Sequence, residues 1–246
     1  MKLFLIRHAQ STNNYLAEHA KLAEYMEQRS PEPPLTDIGQ RQAQLVADHL
    51  ASDIHPEAEQ EKGRTGPRGY GFTHLYCSPM LRTLQTTLPI SKALGLQPEI
   101  WIDIHEHGGI FHGDPQKGPV AEHFGLTRQE IVELFPGYQL PDAVTEKGWW
   151  PGGYEEMEGC YQRAQQVADN VKDWASTRPD ERIALVAHGT FLDALLKAIL
   201  GQDFASQLYY SHYNTAISRI DFTPRGFILL RYLNRTEHLT PDLITR

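Results

Sequence analysis

Short apolar runs that stop abruptly at polar residues alternate along this chain with longer stretches of helical period. Residues 3–6 (LFLI), 74–77 (HLYC), 99–102 and the IALVA of RIALVAHG predict buried strands. Residues 216–222 and 227–233 flank a Thr-Pro-Arg-Gly turn and predict a hairpin. Helical spacing begins at Asn13 and Asn14, with Leu16, Ala20 and Ala23, and should fade near Arg29, where SPEPP forces extended chain. Thr36 predicts a cap for the next helix, whose apolar face is Ala43, Val46, Ala47 and Leu50. Ser78-Pro79 predicts another helix start, and further helices are expected over 127–134, over 154–177 and after His188. Gly39, inside a first turn, costs about 1 kcal/mol against Ala and so points to close packing or a nearby ligand.

Strand–helix alternation with near-continuous apolar strands predicts an α/β fold, three-layer α/β/α, with a mostly parallel sheet. The 246 residues suit one large α/β domain with an insertion, or two smaller ones. Residues 52–72 are polar and glycine-rich and read as an exposed loop, in which Arg64 and Arg68 are solvated charges. A net charge of −8 without a basic stretch argues against nucleic acid. Cys77 and Cys160 make neither a disulfide framework nor a cysteine zinc site. No apolar run reaches membrane-spanning or signal-peptide length, so a cytoplasmic location is expected. The tail TEHLTPDLITR is expected to be loosely held.

The chemistry gathers at the ends of strands. Arg7-His8 closes the first, and His188 closes a later one in the same strand-to-helix setting. Arg82 lies in the first turn of the helix after the second strand, where a cation opposes the helix dipole unless an anion stands between. In an open α/β sheet the carboxyl ends of strands share one crevice, so these groups can converge. Two guanidiniums, two imidazoles and helix N-termini suit a tetrahedral dianion, and arginine's planar fork pairs with phosphate oxygens. A neutral imidazole amid guanidinium charge is a competent nucleophile.

Four ordered blocks then carry a resemblance. RHAQSTNN resembles the arginine-histidine-glycine signature of the histidine phosphatase superfamily, the phosphoglycerate-mutase-like fold, and LTDIGQRQA, CSPMLRTLQT and LVAHG match three further family blocks. The resemblance implies one histidine-phosphatase-like domain over 1–246, with about 104–153 inserted as a cover. It implies that His8 accepts the phosphoryl group, that Arg7, Asn14, Arg82 and His188 hold the phosphate, and that Glu106 protonates the leaving alcohol. No cofactor or metal is implied. Two departures stand out. Ala9 replaces the signature glycine, adding a methyl group while its amide is expected to stay free. The spacing in HEHGGIFHG is irregular, which leaves Asp103 as a rival acid.

His105, Glu106, His107 and His112 also invite a metal reading, though a glycine-rich setting disfavours it. Trp149 and Trp150 are either packing residues or, with Tyr154, an aromatic wall for a leaving group. Residues 104–126 offer only Lys117 as a fixed cation, and a phosphoglycerate mutase needs more. The expected activity is therefore hydrolysis of a small phosphorylated substrate, with a mutase or a weakly catalytic phospho-ligand-binding module as alternatives.

Overall fold

The computed structural model describes residues 1–52 and 70–246. The predicted loop charges Arg64 and Arg68 lie outside the described residues. A six-stranded sheet runs in the order β3 (Pro98–Ile100), β2 (His74–Cys77), β6 (Arg182–Ala187), β1 (Lys2–Arg7), β7 (Ile217–Phe222), β8 (Ile228–Arg235). β1, β6, β2 and β3 are parallel, and β7–β8 is the expected hairpin, paired antiparallel to β1.

Alternation along the strands builds the three layers. In β1, Phe4 and Ile6 face Val46, Ala47 and Leu50 of α3 (Asp37–Ala51) and Leu84 and Ile90 of α4 (Leu81–Leu94). Leu3 and Leu5 face the other way, onto α6 (Met157–Thr177) and α7 (Gly189–Leu200). β6 is buried along its whole length, which is why its sequence runs apolar rather than alternating. Between β3 and α6 the chain leaves this sheet. It forms a 3₁₀ turn (Ile102–Ile104), a two-stranded ribbon of β4 (Phe111–His112) and β5 (Ala121–Glu122), and α5 (Arg128–Leu134).

Several expectations need correction. The first predicted helix is two, α1 (Thr12–His19) and α2 (Leu22–Gln28), because Ala20 and Lys21 take extended backbone between them. The third strand ends at Ile100. The helix expected from 154 starts at Met157, and Glu155 is drawn into an ion pair with Arg163 instead. α4 begins at Leu81 behind Met80, which offers no side-chain cap. Tyr70 and Phe72, at the end of the supposed exposed loop, are buried edge-on against Phe4, with ring centroids 5.6 and 4.9 Å away. The tail is anchored: Gln42 donates to the Leu243 carbonyl (2.7 Å) and to Thr245 Oγ1 (2.9 Å), and Leu239 and Leu243 are buried.

Gly39 answers to close packing. Its amide donates to the Thr36 cap (3.0 Å), and a Cβ there would collide with the Gln10 carbonyl oxygen. That carbonyl is backbone and cannot swing away. Gly39→Ala should therefore lower stability by about 1–3 kcal/mol or more, read from the urea midpoint at unchanged m-value.

Candidate active site

His8 follows the last residue of β1, and its ring is held at both nitrogens. Nδ1 lies 2.7 Å from the Ala9 carbonyl oxygen, which can only accept, so Nδ1 carries the proton. Arg82 Nε donates to His8 Nε2 across 3.2 Å, so Nε2 carries the lone pair. Burial first, then the charges of Arg82 and Arg7, push the pKa of His8 well below that of a free imidazole. His8 is a neutral base of one defined tautomer.

His188 caps α7 at the end of β6, its ring centroid 5.1 Å from that of His8. Its Nε2 is 2.8 Å from Ser78 Oγ, and Nδ1 is buried without a partner. Burial again leads the causes that depress its pKa, with Arg82 and His8 adding to it. Ser78 therefore orients this imidazole, rather than capping a helix through its side chain. Arg7 donates from Nη1 to the His212 carbonyl (2.5 Å), while its Nε is buried and unpartnered. Burial lowers the pKa of both Arg7 and Arg82, and the Glu106 carboxylate is the charge that most opposes that trend for each.

Asn14 closes a reciprocal cap on α1. Its Oδ1 accepts from Ser11 N (3.1 Å), Ser11 Oγ (3.0 Å) and Asn214 Nδ2 (3.4 Å), which leaves its own amide hydrogens to donate. Ala9 departs from expectation. Its amide is not free but donates to Thr86 Oγ1 (3.0 Å), and the residue is buried with Leu35 and Ala43. Its methyl group thus packs on the α3 side.

Arg7, His8, Asn14, Arg82 and Glu106 line one cleft of about 270 Å³. Glu106 accepts from the amides of His107 (2.9 Å), Phe191 (2.9 Å) and Thr190 (3.3 Å), the last two in the first turn of α7, where a carboxylate is favoured. Asp103 is exposed, accepts from Trp101 Nε1 (3.2 Å) and lies outside the cleft lining. His105 and His107 point apart: His105 is buried beside Trp149 and Trp150, whereas His107 Nε2 meets the Tyr154 hydroxyl at 3.3 Å. Trp149 and Trp150 are packing residues, and the aromatic walls are Tyr25, Phe111 and Tyr154.

Three supports for this cleft are not visible in any motif. Thr215 takes φ +58°, rare for a β-branched residue, and its amide faces the Arg7 and His8 carbonyls (3.1 and 3.4 Å). Asn214 Nδ2 donates to the His8 carbonyl (3.0 Å) and its Oδ1 accepts from Thr245 in the tail. Arg163 grips both Glu155 oxygens (2.8 and 2.6 Å) and donates from Nη1 to the Asp103 and His105 carbonyls (2.8 and 2.9 Å). It thereby anchors the turn that carries Glu106. Burial alone would raise the Glu155 pKa, but the facing His105 and Arg163 more than offset that and hold it at about 2. The glycine signal for a left-handed residue is absent at Thr215, so sequence offered no pointer to it.

Glu32, in the SPEPP connection, accepts from Leu81 N (3.0 Å) at the start of α4, while its Oε1 is shielded without a partner. Burial raises its pKa to about 7, against the pull of the Leu81 amide and Arg82. The folded state therefore binds this proton more tightly than the unfolded chain. Stability should fall as pH rises from about 4.5 through 7, and Glu32→Gln should gain on the wild type between pH 5 and pH 8 in thermal melts. Arg163→Met, which leaves Glu155 buried with only His105 opposite it, should cost about 2–4 kcal/mol in denaturant unfolding, and adding Glu155→Leu should recover part of that loss.

With this geometry in view, the profile of the histidine phosphatase superfamily (branch 1) matches residues 3–235. Phosphoserine phosphatase 1 of Hydrogenobacter thermophilus is 26% identical, covering 97% of this chain and 94% of that protein. The Yersinia enterocolitica protein named "Probable phosphoglycerate mutase GpmB" is 27% identical, covering 90% of this chain and 85% of its own. A solved structure of Entamoeba histolytica phosphoserine phosphatase in complex with 3-phosphoglyceric acid shares the fold. It has a TM-score of 0.56 and 20% identity, over 97% of this chain and 99% of that one. The chain belongs to the histidine phosphatase superfamily, branch 1.

Proposed function

We propose that this protein hydrolyses small phosphomonoesters through a phosphohistidine on His8, by a mechanism that needs no metal. The observation that carries the reading is the ring of His8, neutral and with its Nε2 lone pair turned to Arg82 inside the cleft. A phosphate dianion seated between Arg7, Arg82 and the amide of Asn14 meets two guanidiniums in low dielectric, where each charge-assisted bond is strong. The His8 Nε2 lone pair attacks phosphorus, the ester P–O bond breaks, and Glu106, whose protonated form the neighbouring dianion favours, gives its proton to the departing oxygen. The ring becomes cationic as the N–P bond forms, and the Nδ1–H bond to the Ala9 carbonyl stabilises that charge. Water then loses a proton to Glu106 and attacks phosphorus. The N–P bond breaks, and His8 returns to its neutral tautomer. His188, beside His8, stabilises the phosphate oxygens in both steps.

Residues 104–153 act as the cover of this cleft within one histidine-phosphatase-like domain, through Glu106, His107, Gly109 and Phe111. The relatives named phosphoserine phosphatase support hydrolysis, and the relative named a phosphoglycerate mutase keeps transfer as the second reading. Lys117 is 81% exposed and paired with Asp114 at 3.1 Å, so it brings the cover no cation for retaining a phosphoglycerate.

Hydrolysis of p-nitrophenyl phosphate with EDTA present tests the reading. His8→Ala should abolish turnover and the acid-labile phosphoenzyme. Glu106→Gln should lower kcat on an alkyl phosphate by about 100-fold or more, and much less on p-nitrophenyl phosphate, whose leaving group needs little protonation. Equal losses on both esters would remove Glu106 from the acid role, and turnover by His8→Ala would end the phosphohistidine mechanism.

A further inference from the structure

Beyond the phosphate pocket the same cleft holds a third guanidinium, that of Arg29. It sits at the carboxyl end of α2 and is positioned twice over. Asn13 and Ser30 exchange two hydrogen bonds (2.8 and 2.9 Å) beside it, and its guanidinium lies 4.1 Å from the centroid of the Phe111 ring. Its Nε is nevertheless shielded from water without any hydrogen-bond partner, and among the described residues no carboxylate pairs with it. The carboxylate that lines the cleft, Glu106, is already engaged by three amides. Glu32, the other acid nearby, is tied to Leu81 and the field of Arg82. Among the described residues, a half-buried cation thus stays unpaired in the cleft that holds His8, although the chain carries a net charge of −8.

We propose that Arg29 is a second anion subsite, so that the cleft selects phosphomonoesters whose leaving group carries its own carboxylate or phosphate. This rests on reading the cleft as a phosphatase site. A dianionic phosphate answers Arg7 and Arg82, and only a further anion on the same substrate answers Arg29. The planar fork, already stacked on Phe111, presents its edge to a carboxylate or phosphate with little entropy left to lose. Tyr25 and Tyr154 line the same cleft without supplying a competing charge.

The test pairs ω-carboxyalkyl phosphates of two to five carbons with the alkyl phosphates of equal length, plus propane-1,3-diol bisphosphate as the phosphate arm. At the best length the second anion should raise kcat/KM by about 10-fold or more, mainly through KM, as expected for one charge-assisted contact. Arg29→Met should erase that preference and leave the plain alkyl phosphates nearly unchanged, while Arg29→Lys keeps part of it. A carboxylate gain without a bisphosphate gain identifies the leaving-group acid as carboxylic, and the reverse identifies a bisphosphate. No gain at any length, or a gain that survives Arg29→Met, overturns the subsite. Calorimetric titration of the same compounds reads the same preference as affinity. Absent turnover with Arg29-dependent binding would therefore sink the phosphatase reading while sustaining the subsite.

Discussion

Positive charge buried with too little negative charge beside it is the constraint on which this structure turns. Arg7 and Arg82 are both desolvated at the carboxyl ends of the central strands, and Glu106 is the carboxylate that faces them in the cleft. Such an arrangement costs folding free energy and is repaid when a dianion enters. Burial and the same field keep both imidazoles neutral, so under the proposed mechanism one set of charges would bind the phosphate and maintain the nucleophile.

Holding that charge in place takes much of the chain. The loop after β1 is gripped from α4 by Thr86, from α3 by Gln42 and from the segment before β7 by Asn214 and Thr215. Gln42 and Asn214 both reach the C-terminal tail through Thr245. A site assembled from separate strand ends needs such cross-links, because a displacement of about 1 Å in a reacting group costs on the order of 100-fold in rate.

The excursion between β3 and α6 has a different task. It brings Glu106 onto the N-terminal turn of α7 and is itself clamped by the buried Arg163–Glu155 pair. The guanidinium of Arg29, which follows α2, lies over the ring of Phe111 from the same excursion, so this wall of the cleft joins two segments about eighty residues apart. On the proposed reading the inner side holds the phosphate, and this outer side distinguishes one phosphorylated substrate from another.

The sequence by itself determined the layer architecture and pointed to the charged residues at the strand ends. Apolar strands such as β1 and β6 are legible because burial on both faces leaves few polar positions; Arg7, His8 and His188 are legible because they end such runs, and Arg82 because a cation opens a helix against its dipole. Only the tertiary structure decided between Glu106 and Asp103 as the cleft carboxylate. They stand three positions apart in an aperiodic segment, and their directions depend on which amides and which arginine lie opposite. The same holds for the anchored tail, for Ser78 beneath His188, for Thr215 at positive φ and for Arg29 over Phe111. Each owes its role to a partner tens to hundreds of residues away, and local periodicity carries no record of such partners.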